Sequence, residues 1–346
     1  MWALIVKEFR QVRRDHRTVA MMILLPLVLL IVFGYAASFD VTDIRTAVGG
    51  PGAEGVEGRL PELFDVVETD SSGGREDAIE ALRNGEAVVA VIAGRPPEIL
   101  VDGSELFAAK ATIAALTRAP DAPVPQVLFN EELETSAIMV PALAGMILIF
   151  IGMLITSLGV VRERQAGTLE QLAVMPFRPR DVFVGKIAPY FLVAVIDLTI
   201  ILTVGTLLFD VPFRGSVLVL GFGALLFLFV TLGMGVLISS VSENQGQAIQ
   251  LALMMLMPQV LLSGMIFPVE SMAAGIRWIS YLLPLTYFTE ISRGVMLRGA
   301  PLDALWEPMA ALAVLGLATF GLAVIRFRRD LAPAGPIERQ PMKAAA

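Results

Sequence analysis

The sequence predicts an α-helical polytopic membrane protein with six transmembrane helices and an inserted extracytoplasmic α/β domain. Three observations carry that prediction. Of 346 residues, 56% are hydrophobic and 17% are charged, against roughly 25% charged in an ordinary soluble domain. Six apolar stretches match the ~20 residues a helix needs to cross a ~30 Å hydrocarbon core: 19–38, 138–161, 185–209, 216–240, 248–268 and 305–325. Between the first and second lies a stretch of different character. Residues 40–135 hold 19 of the 33 acids and 7 of the 26 bases, a local balance of −12, which leaves +5 on the rest of the chain.

Each apolar run reads as helix because lipid offers the backbone no hydrogen-bond partner, and a closed barrel would need short alternating segments instead. Lys and Arg set the direction. One cluster precedes the first span (Lys7, Arg10, Arg13, Arg14, Arg17), a second follows the second span (Arg162, Arg164, Arg178, Arg180, Lys186), and a third occupies the tail at 326–346 (Arg326, Arg328, Arg329, Arg339, Lys343). Six spans in a plasma (inner) membrane, with both termini cytoplasmic, put all three clusters inside. The leader, 1–18, places Trp2, Ile5, Val6, Phe9 and Val12 on one helical face, the pattern of an amphipathic helix lying on the membrane surface. The first span also resembles a secretory signal ending at Ala36, Ala37 and Ser38, but its apolar run and its leader are longer than that class uses. Residues 275–299 suggest a seventh span, yet contain Arg277, Pro284, Glu290, Arg293 and Arg298 and would push the basic tail outside. A re-entrant segment over 270–303, broken at Pro284, is predicted instead.

Within 40–135, short periodic segments alternate with turn residues. Strands are expected at 44–48, 64–69, 87–92 and 99–101, with helices at 75–83 and from a Ser104 cap to about 118. The order β-β-α-β-β-α makes a compact α/β domain with a modest core. Pro120, Pro123 and Pro125 mark the linker back to the membrane. Its acids read as a solvated face.

Chemistry-bearing motifs are few. The chain has no cysteine, so disulfides, thiolate metal sites and a cysteine nucleophile are excluded. It has no GxxxxGK[ST], HExxH or GxSxG pattern, and its single histidine, His16, sits among arginines. No catalytic residue, metal site or bound cofactor is expected, and nothing points to nucleic acid. Energy has to come from a partner or an ion gradient.

The informative stretch runs from Arg162 to Pro176. Thr168 and Gln171 form a capping box, and Glu170 favours the positive end of the helix dipole. Leu169, Leu172 and Ala173 make an apolar patch on a helix of about two turns. Such a helix suits a protein groove, although it could simply rest on the membrane. Gly145, Gly152 and Gly159 recur every seven positions in the second span, and Gly233 and Gly235 lie in the fourth; small residues of this kind let helices pack closely in lipid. Packing is the default for them, with the lining of a transport path as the alternative. Asp197 lies mid-span, where an ionised side chain costs at least ~2.5 kcal/mol, and reads as either a packing residue or part of a substrate path.

The stretch Glu163–Leu172, ERxxGTLEQL after a span, resembles the signature loop of ABC type 2 (ABC-2) exporter permeases. The residues from Leu262 through Gly264 and Pro268 to Pro284, Glu290, Arg293 and Gly294 are similar to the ending of that family. One span, a large external domain and five more spans resemble its drug-efflux-like branch, and the likeness covers nearly the whole chain. The resemblance implies a permease that pairs with a second, identical or related permease in the membrane lipid. It also implies cytoplasmic ABC ATPase subunits that bind ATP and Mg, and export of hydrophobic or amphipathic compounds. Within the cytoplasmic loop 162–184, the ATPase-coupling role then falls on Arg162, Glu163, Gly167, Thr168, Leu169, Glu170, Gln171 and Leu172. The candidate substrate path comprises Asp197, Gly152, Gly264 and Glu290. Phe129-Asn130-Glu131 departs from the family pattern, with glutamate in the place of proline. Two other readings stay open: a gradient-driven secondary transporter with Asp197 as proton site, and a membrane-anchored sensor.

Overall fold

The computed structural model describes residues 43–94, 96–118, 122–167 and 179–330, together with Ala20, Leu24, Pro26, Leu27, Leu30 and Val41. The predicted leader helix, most of the first span and the basic tail lie outside the described residues. The described positions of the first span are helical.

The first described unit is a five-stranded sheet. Strands β1 (Ile44–Gly49), β2 (Phe64–Asp70), β3 (Val89–Ile92), β4 (Glu98–Asp102) and β5 (Gln126–Leu128) lie in the order β2-β1-β3-β4-β5. Strand β1 pairs in parallel with both β2 and β3, β3 runs antiparallel to β4, and β4 is parallel to β5. Alternation along the strands gives each face its own core. Ile44, Phe64, Val89, Val91 and Val101 meet Ala109 of α3 (Leu106–Thr117) on one face. Ala47, Ala90 and Leu100 meet Ala78 and Leu82 of α2 (Arg75–Asn84) on the other. The structure adds two elements to the expected order: α1 (Ala53–Glu57), after β1, and the edge strand β5. It also corrects one. Ser104 does not cap α3; the cap position is Glu105, without a side-chain cap bond, and the Ser104 backbone N–H donates to Asp102 Oδ1 at 2.8 Å.

The chain leaves the sheet through Phe129 and Asn130. Phe129 adopts a φ of 68° and packs against the α2 face of the sheet. The Asn130 amide donates to the carbonyls of Gly103 and Glu134, and its Oδ1 accepts from Glu134 N at 3.0 Å. That clamp delivers the chain directly into α4 (Thr135–Gln165), which contains a π-helical stretch, Phe150–Ile155. The helices α5 (Pro179–Leu208), α6 (Val217–Val241), α7 (Gln245–Leu262) and α10 (Trp306–Asp330) follow, with the short α8 (Ala274–Ser280) and α9 (Pro284–Arg293) between the last two.

Four of these helices are long and apolar enough to cross a membrane: α4, α5 over Ala188–Leu208, α6, and α10 over Trp306–Arg326. The expected 248–268 span is instead an 18-residue helix that starts earlier and stops at Leu262, where Ser263 and the left-handed Gly264 (φ 80°) turn the chain. It carries four glutamines, Gln245, Gln247, Gln250 and Gln259. Two of them serve helix starts. Gln247 Oε1 accepts from Glu243 N while its own N–H is capped by Asn244. Gln259 Oε1 accepts from Leu285 N in the first turn of α9, satisfying an amide that has no partner within its own helix.

Segment 275–299 is two short helices joined by a turn at 281–283, with Pro284 at the first position of the second, where its missing N–H costs nothing. Helix α9 inserts into the bundle. Leu285, Phe288 and Ile291 are fully buried, and the Phe288 ring stacks on Phe227 of α6 at 4.6 Å between centroids. It continues as a π-helical turn, Gly294–Arg298, that ends on left-handed Gly299. The hairpin is thereby wedged between the helices and the sheet unit.

Candidate functional site

The residues singled out in the sequence fall in separate places. Arg162 and Glu163 lie on the last turns of α4, and Arg164 Nη1 donates to the Ser242 carbonyl at the end of α6, at 3.1 Å. Gln245 Nε2 donates to Gln165 Oε1 at 3.0 Å, so the ends of α4 and α6 and the start of α7 are tied together. Gly167 ends this stretch with a φ of 71°, its N–H on the Arg164 carbonyl. Beyond it, Thr168, Leu169, Glu170, Gln171 and Leu172 lie outside the described residues.

Gly152 sits in the π-helical stretch of α4, facing α6. A Cβ there would lie 2.2 Å from Thr231 Oγ1, and a Cβ on Gly235 would lie 2.6 Å from the Gly152 carbonyl oxygen. Gly145 and Gly159 likewise meet Leu285, Phe288 and Tyr190. The glycine positions are thus contacts of protein against protein. Asp197 is half-buried on α5, whose neighbours Leu192, Val193, Val195, Ile196 and Ile200 are exposed.

Gly264 and Glu290 do come together. They line a cleft of about 410 Å³ at the junction of the sheet unit, the end of α7 and the hairpin. The sheet unit supplies Arg45 from β1, Gly85 from the end of α2 and Glu105 from the start of α3. The turn after α7 supplies Pro268, Val269 and Glu270, and the hairpin supplies Tyr281, Thr289, Glu290, Arg293 and Arg298. Six charged side chains, three of each sign, therefore share one cleft.

Two arginines in it are anchored by the backbone. Arg45 Nη1 donates to the Gly85 carbonyl at 2.8 Å, and Arg293 Nη2 donates to the Met265 carbonyl at 3.3 Å. The third joins the two units. Arg298, 6% exposed, reaches the fully buried Asp102 at the end of β4, with Nη1 at 3.5 Å from Oδ2. Gly85 makes room for it: a Cβ there would lie 3.1 Å from both Nη atoms of Arg298. Burial pushes the Asp102 carboxyl up to about 6, despite the opposing pull of Arg298; Glu105 adds to the rise, and the bond from Ser104 works against it. Desolvation outweighs the partner here, as happens when an ion pair leaves water.

Reasoning from the sequence missed Asp102, Glu105, Glu270 and Arg45 as parts of one site. A signal for the other half was present, because Glu290, Arg293 and Arg298 are charges inside an apolar segment. Charges placed there need polar company.

The arrangement contains groups to recognise a polar ligand and, among the described residues, no cluster of three side chains able to hold a metal ion. Comparison with known proteins agrees with a transport role. The model of the ABC-2 family transporter protein matches residues 16–325. The chain is 28% identical over 363 residues to the probable multidrug ABC transporter permease YbhR of Escherichia coli (strain K12), covering 96% of this chain and 99% of that protein. It is 29% identical over 370 residues to the probable multidrug ABC transporter permease YbhS of the same strain, covering 95% and 97%. Over 166 residues it is 28% identical to ABC transporter G family member 20 of Dictyostelium discoideum, covering 48% of this chain and 23% of that protein. With the sheet unit and all but the last turn of the helical bundle inside the matched region, this chain belongs to the ABC-2 transporter family, as a multi-pass membrane permease subunit of an ABC transporter.

Proposed function

We propose that the permease moves a hydrophobic or amphipathic compound, drug-like or lipid-like, out of the cytoplasm, using ATP and Mg held by a separate cytoplasmic ATPase. Six spans cross the inner membrane with both termini inside. The sheet unit stands outside, and a second permease, identical or related, completes the path within the lipid. The basic clusters before the first span, after α4 and in the tail support this orientation. The multidrug relatives support the compound class. The observation that carries the reading is the end of α4. Its last turns are bonded to α6 and α7, and Gly167 then releases the chain into the loop carrying Thr168–Leu172. A push on that loop is delivered to three helices at once.

The test is Leu172→Asp. Burying one leucine is worth roughly 1.5–3 kcal/mol, and the substitution would also bury an unpaired charge. The variant is expected to insert at wild-type levels and lose co-purification of the ATPase or substrate-stimulated hydrolysis. Normal export at normal expression would remove this loop from the coupling role.

A further inference from the structure

The cleft between sheet unit and hairpin offers binding groups of two kinds. Among the described residues, Glu105, Glu270 and Glu290 make no ion pair within 4.0 Å, and Glu270 and Glu290 are exposed, with Arg45 and Arg298 acting on Glu290 only from farther away. Arg45 and Arg293 each use one N–H on a backbone carbonyl, out of five donors on a guanidinium. Arg293 Nε is buried with no acceptor, and so is the Oγ1 of Thr289, a residue 2% exposed on the cleft wall. Buried polar groups without partners are uncommon, and each needs a reason. A simple cation would answer the carboxylates and be repelled by the arginines; a simple anion would do the reverse. A metal ion is a poor fit, since no three acids converge closely enough. A ligand with a cation and an anion a few bonds apart answers both.

The mouth of the cleft indicates where such a ligand comes from. Beside Tyr281, on the same hairpin, Trp278 and Leu282 are exposed, and so is Tyr281 itself. Exposed tryptophan and tyrosine next to apolar surface mark the depth of lipid head groups. We propose that this cleft binds the zwitterionic head group of an aminophospholipid, with the phosphate toward Arg45 and Arg293 and the ammonium toward Glu270 and Glu290. The inference rests on the permease reading for one point only, that the hairpin lies at a membrane surface.

The test uses the permease–ATPase complex purified in detergent, with dihexanoyl phosphatidylethanolamine as the probe and titration calorimetry as the readout. Saturable binding is expected, weakened about tenfold or more by Glu290→Gln and by Arg293→Gln, since each removes one charge-assisted hydrogen bond. Glu270→Gln, on the exposed side of the cleft, is the second variant against misfolding. Dihexanoyl phosphatidylglycerol, which lacks the ammonium, is expected to bind at least tenfold more weakly. Phosphoethanolamine alone separates a free solute from a lipid: competition only at much higher concentration supports the lipid source, and equal affinity overturns it. Binding of phosphatidylglycerol as tight as that of phosphatidylethanolamine, or no saturable binding of either, overturns the head-group proposal. ATPase co-purification is scored in the same samples. Its retention alongside absent lipid binding sinks the cleft proposal alone, whereas its loss from the wild-type preparation sinks the permease reading.

Discussion

Asp102 is the residue on which the junction of the two units turns, and its electrostatics have a definite sign. Its folded-state pKa, about 6, stands above the ordinary 3.8, so the folded protein keeps a proton that the unfolded chain releases. The contribution of the group to stability is full below about pH 4, falls as pH rises through 6, and is flat above, a change on the order of 3 kcal/mol. Asp102→Asn cannot ionise and is expected to shrink the drop in Tm between pH 4.5 and pH 7.5. Arg298→Gln removes the attraction that holds the carboxyl down and is expected to enlarge the drop. Melting curves of both variants at the two pH values check the sign, and a steeper pH dependence in Asp102→Asn would contradict it. The turn at Asp102-Gly103-Ser104 is visible in the sequence as turn chemistry. Its partner is not, because Arg298 stands 196 positions away and no local pattern encodes a contact at that separation. Ser104 shows the same limit: a serine before a helix reads as a cap, but the helix starts one residue later, with Glu105 in the cap position, and Ser104 belongs to the turn that the buried Asp102 holds through its backbone N–H.

Among the elements, the packing of α4 on α6 is decided by glycine. Gly152→Val would bring a side chain within 2.2 Å of Thr231 Oγ1 and 3.3 Å of the Thr231 backbone carbon. Overpacking of a tight core costs about 1–3 kcal/mol, and here the close contacts include Thr231 Cβ at 2.8 Å, which moves only with its backbone. The variant is expected to lose most of its monodisperse peak in detergent gel filtration. Gly221→Ala, on the same α6 with nothing within 4 Å of its Cβ, should behave as wild type; equal loss from both would mean that α6 tolerates no added methyl group anywhere. The seven-residue spacing made this stripe legible, since it follows the period of the helix. Strands β1 to β4 and helices α2 and α3 were legible for the same reason, as continuous periodic runs. The three residues of β5 and the five of α1 carry too little pattern to be read locally; β5 exists because β4 offers it a parallel edge. The early stop of α7 at Leu262 is a tertiary effect in part, with Gln259 turned to the first turn of α9 instead of to its own surroundings.

At the scale of the whole molecule, orientation is open to direct measurement, because a chain without cysteine accepts single labelling sites cleanly. Cysteines at Glu76 and Lys110, both exposed on the sheet unit, are expected to react with an impermeant maleimide from outside the cell. Cysteines at Arg178 and Gln340 should react only after permeabilisation, and labelling of position 340 in intact cells would reverse the hairpin assignment. Gly103 is a poor site despite its place in the same unit, since a Cβ there would lie 2.5 Å from the Asn130 carbonyl oxygen. The length of α4 sets a further constraint on the assembled molecule. Its 31 residues, at 1.5 Å each, make a rod of about 46 Å, against ~30 Å of hydrocarbon. Tilt takes up only part of the excess, so the rod overhangs the bilayer by two to three helical turns. One end is clamped at Asn130 and the other is strapped to α6 and α7 through Arg164 and Gln165. On the topology proposed above, the overhang makes α4 a lever whose fulcrum is the lipid, so that a small sideways force at Gly167, clear of the membrane, arrives at the sheet unit as a displacement of the opposite sense.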